Sequence, residues 1–326
     1  MRAVVLDRFG APLRIAERPE PVIGTGEVLV SVAAAPVLSY THEVFSGARR
    51  YPLPTPVIPG LGGIGRVLRT GPDATRLAPG DWVFLDPTVR SRDDALDPDI
   101  VLQGWSARGE GGAKLQQHFL HGSYAERAML PTENAIRLGP LDPAAAARWC
   151  ALGIAAIPYG GLLAGELRPG ETLLASGATG NLGSAAVAVA LAMGAARVVA
   201  PGRNRSVLDD LRRRFGERLC PVPLTGDDAA DQAAIRAAAD GPIDLVLDLL
   251  PPEAPASAVR TAAMTVRRGG RVVLMGGVGM LGGDDLALPY PWIMRNDVTL
   301  RGQWMYRPEA ITTLAAMARA GTFDLG

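Results

Sequence analysis

Residues 173–190 read LLASGATGNLGSAAVAVA. An apolar run ends in three glycines set three residues apart, Gly177, Gly180 and Gly183, and a long stretch of small residues follows with no polar face. Few arrangements accommodate that pattern. A strand that turns directly into a helix leaves the helix's first amides unpaired and its positive dipole end open, which suits an anion. For a phosphate to approach that backbone, and for the helix to lie on its own strand, side chains must be missing at fixed offsets, and the glycines meet this requirement. A second strand, ARVVAPG at 196–202, follows at the spacing of a mononucleotide-binding βαβ unit. The stretch is therefore read as a dinucleotide-binding turn with contacts from Gly177, Ala178, Thr179, Gly180, Asn181, Leu182 and Gly183.

The residues after that second strand bear on which dinucleotide is expected. An NAD site places an acid there to hold the adenosine ribose hydroxyls, and an acid repels a 2′-phosphate. This chain has Gly202, Arg203, Asn204 and Arg205. A guanidinium at Arg203 grips a phosphate in bidentate fashion, with Arg205 as a second cation, so the expected cofactor is NADP(H). Leu250 and Gly276, at the ends of later apolar segments, complete the expected cofactor contacts.

Two styles of sequence divide the chain. From residue 1 to about 140, short β-type segments (RAVVL, EVLVSVAAA, GIGRVLR, WVFLD) are broken by Gly, Pro and Asp turns. Beyond that, strands alternate with Ala-rich helices (ETLLASG, SAAVAVALAMG, ARVVAPG, SVLDDLRRRFG, IDLVLDL, GRVVLMGG), which argues for a parallel sheet covered on both faces. Residues 86–118 read as a long charged loop inside the first half.

Composition narrows the function. A chain of 326 residues, 48% hydrophobic, can bury one large core or two. Its formal net charge of zero supplies no general attraction to nucleic acid or anionic membranes, so neither is expected as a partner. Cys150 and Cys220 stand far apart with no CxxC or Cys/His spacing, which fits a reducing cytoplasm and reads as two small buried hydrophobes. No cleavable apolar leader opens the chain, and Arg, Asp or Pro interrupts its apolar runs, so no membrane span is expected.

Five segments in order then resemble the medium-chain dehydrogenase/reductase superfamily of zinc alcohol dehydrogenases and quinone oxidoreductases. They are PEPVIGTGEVLVSVAAAPV at 19–37, VIPGLGGIGRVLRTGPDATRLAPGDWV at 57–83, HGSYAERAMLP at 121–131, GETLLASGATGNLGSAAV at 170–187 and RRGGRVVLMGG at 267–277. The resemblance implies an α/β protein with a GroES-like strand-rich catalytic domain over 1–145, to which 306–326 returns. It also implies a Rossmann doubly wound parallel-sheet nucleotide-binding domain over 146–305. Similar chains continue beyond RAGTFDLG with a helix and a strand; either these lie outside this sequence or the first domain lacks an edge strand. The segment VTLRGQW at 298–304 resembles the edge strand through which similar nucleotide domains pair, implying a homodimer.

Zinc members of the superfamily carry a cysteine where this chain has Leu38, and a histidine and glutamate where it has Leu61 and Gly62. A catalytic zinc needs about three Cys, His or carboxylate donors, so no metal is expected. Losing that Lewis acid makes simple alcohol oxidation harder, whereas reduction of a quinone or an α,β-unsaturated carbonyl needs only a donor to the developing enolate oxygen. Ser39, Tyr40 and His42 lie on the segment that faces the nicotinamide in similar proteins, and Tyr159 on the helix leading into the cofactor domain; Tyr40 is the first choice, as a neutral phenol. Asp86, Arg90, Arg92, Asp93 and Asp94 of the long loop read more readily as surface pairs than as substrate ligands. Three functions stay open: a zinc-independent NADPH-dependent quinone or enone reductase, a metal-free NADP-dependent alcohol or ketone dehydrogenase, and an NADPH-binding protein without turnover.

Overall fold

The computed structural model describes residues 1–325, which divide into two compact units, Met1–Gly153 (with Leu325) and Ile154–Asp324. In the first, β1 (Arg2–Val5) and β2 (Arg14–Glu17) form a hairpin. Strands β3 (Glu27–Ala34), β4 (Gly63–Thr70) and β5 (Trp82–Leu85) follow, with the six-residue helix α1 (Thr41–Ser46) between the first two. With β9 (Arg127–Pro131) and β10 (Ala135–Arg137) they make a five-stranded antiparallel sheet in the order β10-β5-β4-β3-β9. Val28, Val30, Val67, Val83, Leu85 and Leu130 alternate onto one face and bury it.

Residues 86–118, expected as a loop, are mostly regular. Strands β6 (Thr88–Arg90), β7 (Ile100–Leu102) and β8 (Ser106–Ala107) pair into a small antiparallel sheet, and α2 (Gly109–Gln116) closes it. The strands are only two or three residues long, so no periodicity accumulates in the sequence. Val89, Val101 and Phe119 form a satellite core beneath them. Arg92 and Asp94 settle at its rim, Arg92 clamping Glu133 with two bonds of 2.7 Å and Asp94 accepting the amides of Leu96 and Asp97 at 2.9 and 3.1 Å, whereas Asp86, against the surface expectation, is 2% exposed and accepts the Thr88 amide at 2.9 Å.

Helix α3 (Ala146–Trp149) leads into α4 (Ala151–Ala164), within which the two units divide. Against the sequence expectation, the helical run Pro143–Ala164 is long and apolar enough to cross a membrane, by length and composition. Most of it is buried inside the protein. Its glycines account for that: a Cβ on Gly161 would strike Met275 and Leu247, and one on Gly160 the backbone of Met305 and Tyr306, so α4 is a core helix laid close on its neighbours.

The second unit is a six-stranded parallel sheet of β11 (Thr172–Ser176), β12 (Arg197–Gly202), β13 (Leu219–Pro223), β14 (Leu245–Asp248), β15 (Arg271–Leu274) and β16 (Thr299–Gly302). Its order is β13-β12-β11-β14-β15-β16, the doubly wound order that reverses between β11 and β14. Helices α5 (Asn181–Ala192), α6 (Arg205–Phe215), α7 (Asp228–Ala239), α8 (Ala256–Ala263), α9 (Tyr290–Arg295) and α10 (Glu309–Arg319) alternate with the strands. Central strands covered on both faces are apolar along their middles, with polar residues such as Ser176 and Asp248 at their ends; β13 tolerates Pro221 and Pro223 because it is an edge. Of the segment 306–326 expected to return to the first domain, 306–324 clusters with the second unit, where Tyr306, Ala310, Ile311 and Leu314 are buried, and Leu325 with the first. Gly326 lies outside the described residues.

Candidate active site

In the second unit, the carboxyl ends of β11, β12, β14 and β15 converge on the glycine turn. Gly177 adopts φ +84°, a left-handed conformation, and its amide-side neighbour Ser176 accepts the Leu249 amide at 3.2 Å. A Cβ on Gly183 would be driven into the carbonyl oxygen of Gly177, one on Gly202 into Thr179, and one on Gly276 into Asp248. The residues expected from sequence at 177–183, 202, 250 and 276 therefore share one neighbourhood. Gly180 differs from the expectation. A Cβ there would meet only the Gly177 oxygen, at an ordinary 3.4 Å, so glycine is not required for packing; it leaves open the face toward which the first amides of α5 point. Gly180 caps α5 without any side-chain acceptor, so the N-terminal amides of Asn181, Leu182 and Gly183 retain their positive end for a ligand. Ala178 is fully buried, and its carbonyl accepts the Ser184 hydroxyl at 3.0 Å, so its share in any contact is through backbone.

Arg203 and Arg205 are exposed at the end of β12, and among the described residues neither has a carboxylate or other partner. Asn204 is engaged otherwise: its Oδ1 caps α6 by accepting the Val207 amide at 3.2 Å, which fixes the turn from which the two guanidiniums project. The cradle of missing side chains, the uncapped helix mouth and the two free cations fit a phosphorylated dinucleotide.

Asp248, at the end of β14, was not singled out from sequence. It is 3% exposed, accepts the Leu250 amide at 3.3 Å and lies against Gly276. Burial pushes its carboxyl up to about 6, against the pull of the Leu250 and Gly276 amides and the Ser176 hydroxyl. An acid closing the otherwise apolar IDLVLDL was the available signal.

In the first unit, Tyr40 caps α1, with Gly47 ending that helix at φ +87°. The Tyr40 ring packs edge-on to Trp105 (6.1 Å between centroids) and beneath the Arg49 guanidinium at 4.7 Å, which is itself bound to Glu43 at 2.6 Å. Burial first, and then Tyr51, raise its phenol well above the ordinary tyrosine value, opposed by Arg49. Tyr40 is thus held as a neutral donor. Thr41 Oγ1 and Trp105 Nε1, also in this region, are buried without a hydrogen bond of regular geometry, and their nearest polar company is phenolic, Tyr40 for Trp105 and Tyr124 for Thr41. Ser39 and His42 are exposed, on the approach to α1 and on α1 itself. Tyr159, in the second unit, is 7% exposed, its hydroxyl beside Thr313 and within reach of the Glu309 charge on α10.

The positions of the superfamily's zinc ligands do not suit a metal. Leu38 and Leu61 offer carbon only, while Gly62 holds φ +69° with a would-be Cβ 2.5 Å from the Leu85 carbonyl, so no glutamate fits there. Cys150 is buried, its thiol raised to about 11 by desolvation and turned to the Ala146 carbonyl. Cys220 is only half-buried, on edge strand β13, and both cysteines are free. Among the described residues no group of three or more His, Cys, Asp or Glu is arranged to hold a metal.

Comparison with known proteins accords with this arrangement. Residues 24–140 match the alcohol dehydrogenase GroES-like domain and residues 181–320 the zinc-binding dehydrogenase domain. An alcohol dehydrogenase of Rhizobium meliloti is 33% identical over 60% of this chain, and an acryloyl-coenzyme A reductase of Metallosphaera sedula 30% identical over 61%. The matched regions cover 55% and 58% of those two proteins. The structure of a thermostable alcohol dehydrogenase from Pyrobaculum aerophilum superposes with a TM-score of 0.74 at 26% identity, covering 99% of this chain and 90% of that one. With both domain models in order along it, this chain belongs to the medium-chain dehydrogenase/reductase superfamily of nicotinamide-nucleotide-dependent oxidoreductases.

Proposed function

We propose that the protein is an NADPH-dependent, zinc-independent reductase of quinones or α,β-unsaturated carbonyls. The observation that carries this reading is the bare helix mouth at 177–183 beside two unpaired guanidiniums, Arg203 and Arg205, with no acid at the end of β12. The bound dinucleotide supplies a hydride. The chain's own part is to hold the phosphates on the α5 amides, to grip the 2′-phosphate with Arg203, and to offer the Tyr40 hydroxyl to the carbonyl oxygen as the electron pair moves onto it. A donor kept protonated by burial suits that step, and it replaces the polarising role that the leucines and glycine at 38, 61 and 62 cannot give to a metal. The likeness to a reductase named for an acryloyl thioester, an activated double bond, supports the substrate class.

Turnover of NADPH with an enone and quinone panel is the test. Activity unchanged by chelator, preferring NADPH to NADH, with that preference narrowed in Arg203→Asp by about 1.5–3 kcal/mol, is the expected result. Stoichiometric zinc, or oxidation of simple alcohols with silence on the panel, would replace this reading. The alcohol dehydrogenase names among the relatives favour the second outcome, a metal-free alcohol or ketone dehydrogenase using Tyr40 as its acid. A homodimer paired along β16, and a cytoplasmic location in keeping with two free thiols, complete the proposal.

A further inference from the structure

The first unit holds a cavity of about 400 Å³, and every residue lining it lies between Met1 and Met129. Neither the cofactor turn nor Tyr40 contributes to it. Part of its wall is apolar and buried: Val5, Val57, Ile58 and Ala128 are 1%, 1%, 3% and 4% exposed. The volume falls within the range of small-ligand pockets.

Three polar groups in the lining are not satisfied by the chain. Arg18 is half-buried; among the described residues its guanidinium makes no hydrogen bond or close ion pair, though its charge reaches the Asp7 carboxylate that Arg14 holds, and its backbone is pinned at both ends, its amide to the Met1 carbonyl at 2.9 Å and its carbonyl to the Met1 ammonium at 2.8 Å. His121 accepts the Ile58 amide on Nδ1 at 3.3 Å, which puts its proton on Nε2 and leaves that N–H as a donor. Arg18 and His121 both line the cavity, and burial first, then the Arg18 charge, lowers the imidazole's affinity for a proton. Gln103 is 4% exposed; its amide nitrogen donates to the carbonyls of His121 and Met129 at 2.9 and 2.7 Å, while its Oε1 is buried with no donor. A hydroxyl on a ligand, or a water carried in with it, is what that acceptor lacks.

With Arg127 paired to Glu20 and His118 to Glu27, the Arg18 guanidinium and the His121 N–H are left beside the apolar wall, which matches a single negative charge on an apolar body. Glu20, also in the lining and already engaged by Arg69 and Arg127, disfavours a second negative charge. We infer that this cavity is a second ligand site that binds a small monocarboxylate, its carboxylate held by Arg18 and His121 and its body against Val5, Ile58 and Ala128. The site is independent of the proposed reaction, and its test needs neither cofactor nor turnover.

The chain has three histidines, so His42, His118 and His121 are resolved in a proton spectrum by single substitutions. Phenylacetate titrated into the full chain at millimolar concentration is expected to shift His121 and leave His42, which does not line the cavity, unmoved. Arg18→Gln, which retains the backbone bonds to Met1, is expected to weaken phenylacetate about tenfold or more, and Arg18→Lys less than that. Uncharged phenylacetamide is expected not to bind. No movement of His121, equal binding of the amide, unchanged affinity in Arg18→Gln with His42 still native, or tighter binding of benzyl phosphate than of phenylacetate would each overturn the inference.

Discussion

Tyr40 carries two loads at once. Its ring is part of the packing with Trp105 and Arg49, and its hydroxyl is the group proposed to act. Tyr40→Phe separates them, because phenylalanine keeps the edge-on contact and removes only the donor. The expected outcome is a loss of about 10²–10⁴ in kcat for enone reduction with NADPH affinity unchanged, measured by steady-state kinetics and cofactor titration. Asp248 makes a prediction in stability instead. Its folded value of about 6 lies above the unfolded 3.8, so the native state keeps a proton that the unfolded chain has released. Stability from this group is therefore present below pH 3.8 and is lost as pH rises through 6, by about 3 kcal/mol in total, a group this buried needing little discount for solvent. Denaturant melts of the wild type and Asp248→Asn between pH 4 and 7 should show the wild type losing ground to the variant by that order as pH rises.

Among the elements, α5 shows most directly how packing and function share residues. Its small side chains let it lie on β11, and its uncapped mouth offers amides. Spacing alone assigned equal weight to all three glycines, yet the geometry separates them: Gly177 needs its positive φ, Gly183 needs the absence of a Cβ, and Gly180 needs neither. Gly183→Ala should cost about 1–3 kcal/mol from overpacking and abolish measurable cofactor binding, whereas Gly180→Ala should melt like the wild type. Thermal melts with and without NADPH distinguish these outcomes. The strands around this helix were legible because buried parallel strands are continuous apolar runs. The 86–118 segment was not, since strands of two or three residues leave no period to detect and their pairing partners are set by the chain around them.

For the whole molecule, the sheet of the second unit ends in β16, whose four residues are all exposed and whose outer edge pairs with nothing among the described residues. An open edge with Leu300 39% exposed is a template for a second chain. Sedimentation should find a dimer, and Leu300→Glu should shift it toward monomer with the fold retained; a monomeric wild type would remove the edge from consideration. The linear order of residues was sufficient for the strand-rich first half and the doubly wound sheet of the second, because each depends on periodicity or residue type over a few consecutive positions. Folding in three dimensions decided the rest. It placed Tyr159 under α10, kept 306–324 with the second unit, buried the apolar α4 inside the protein and set Asp248 against Gly276, since each of these depends on which distant surfaces meet, and a chain read one residue at a time does not contain that information.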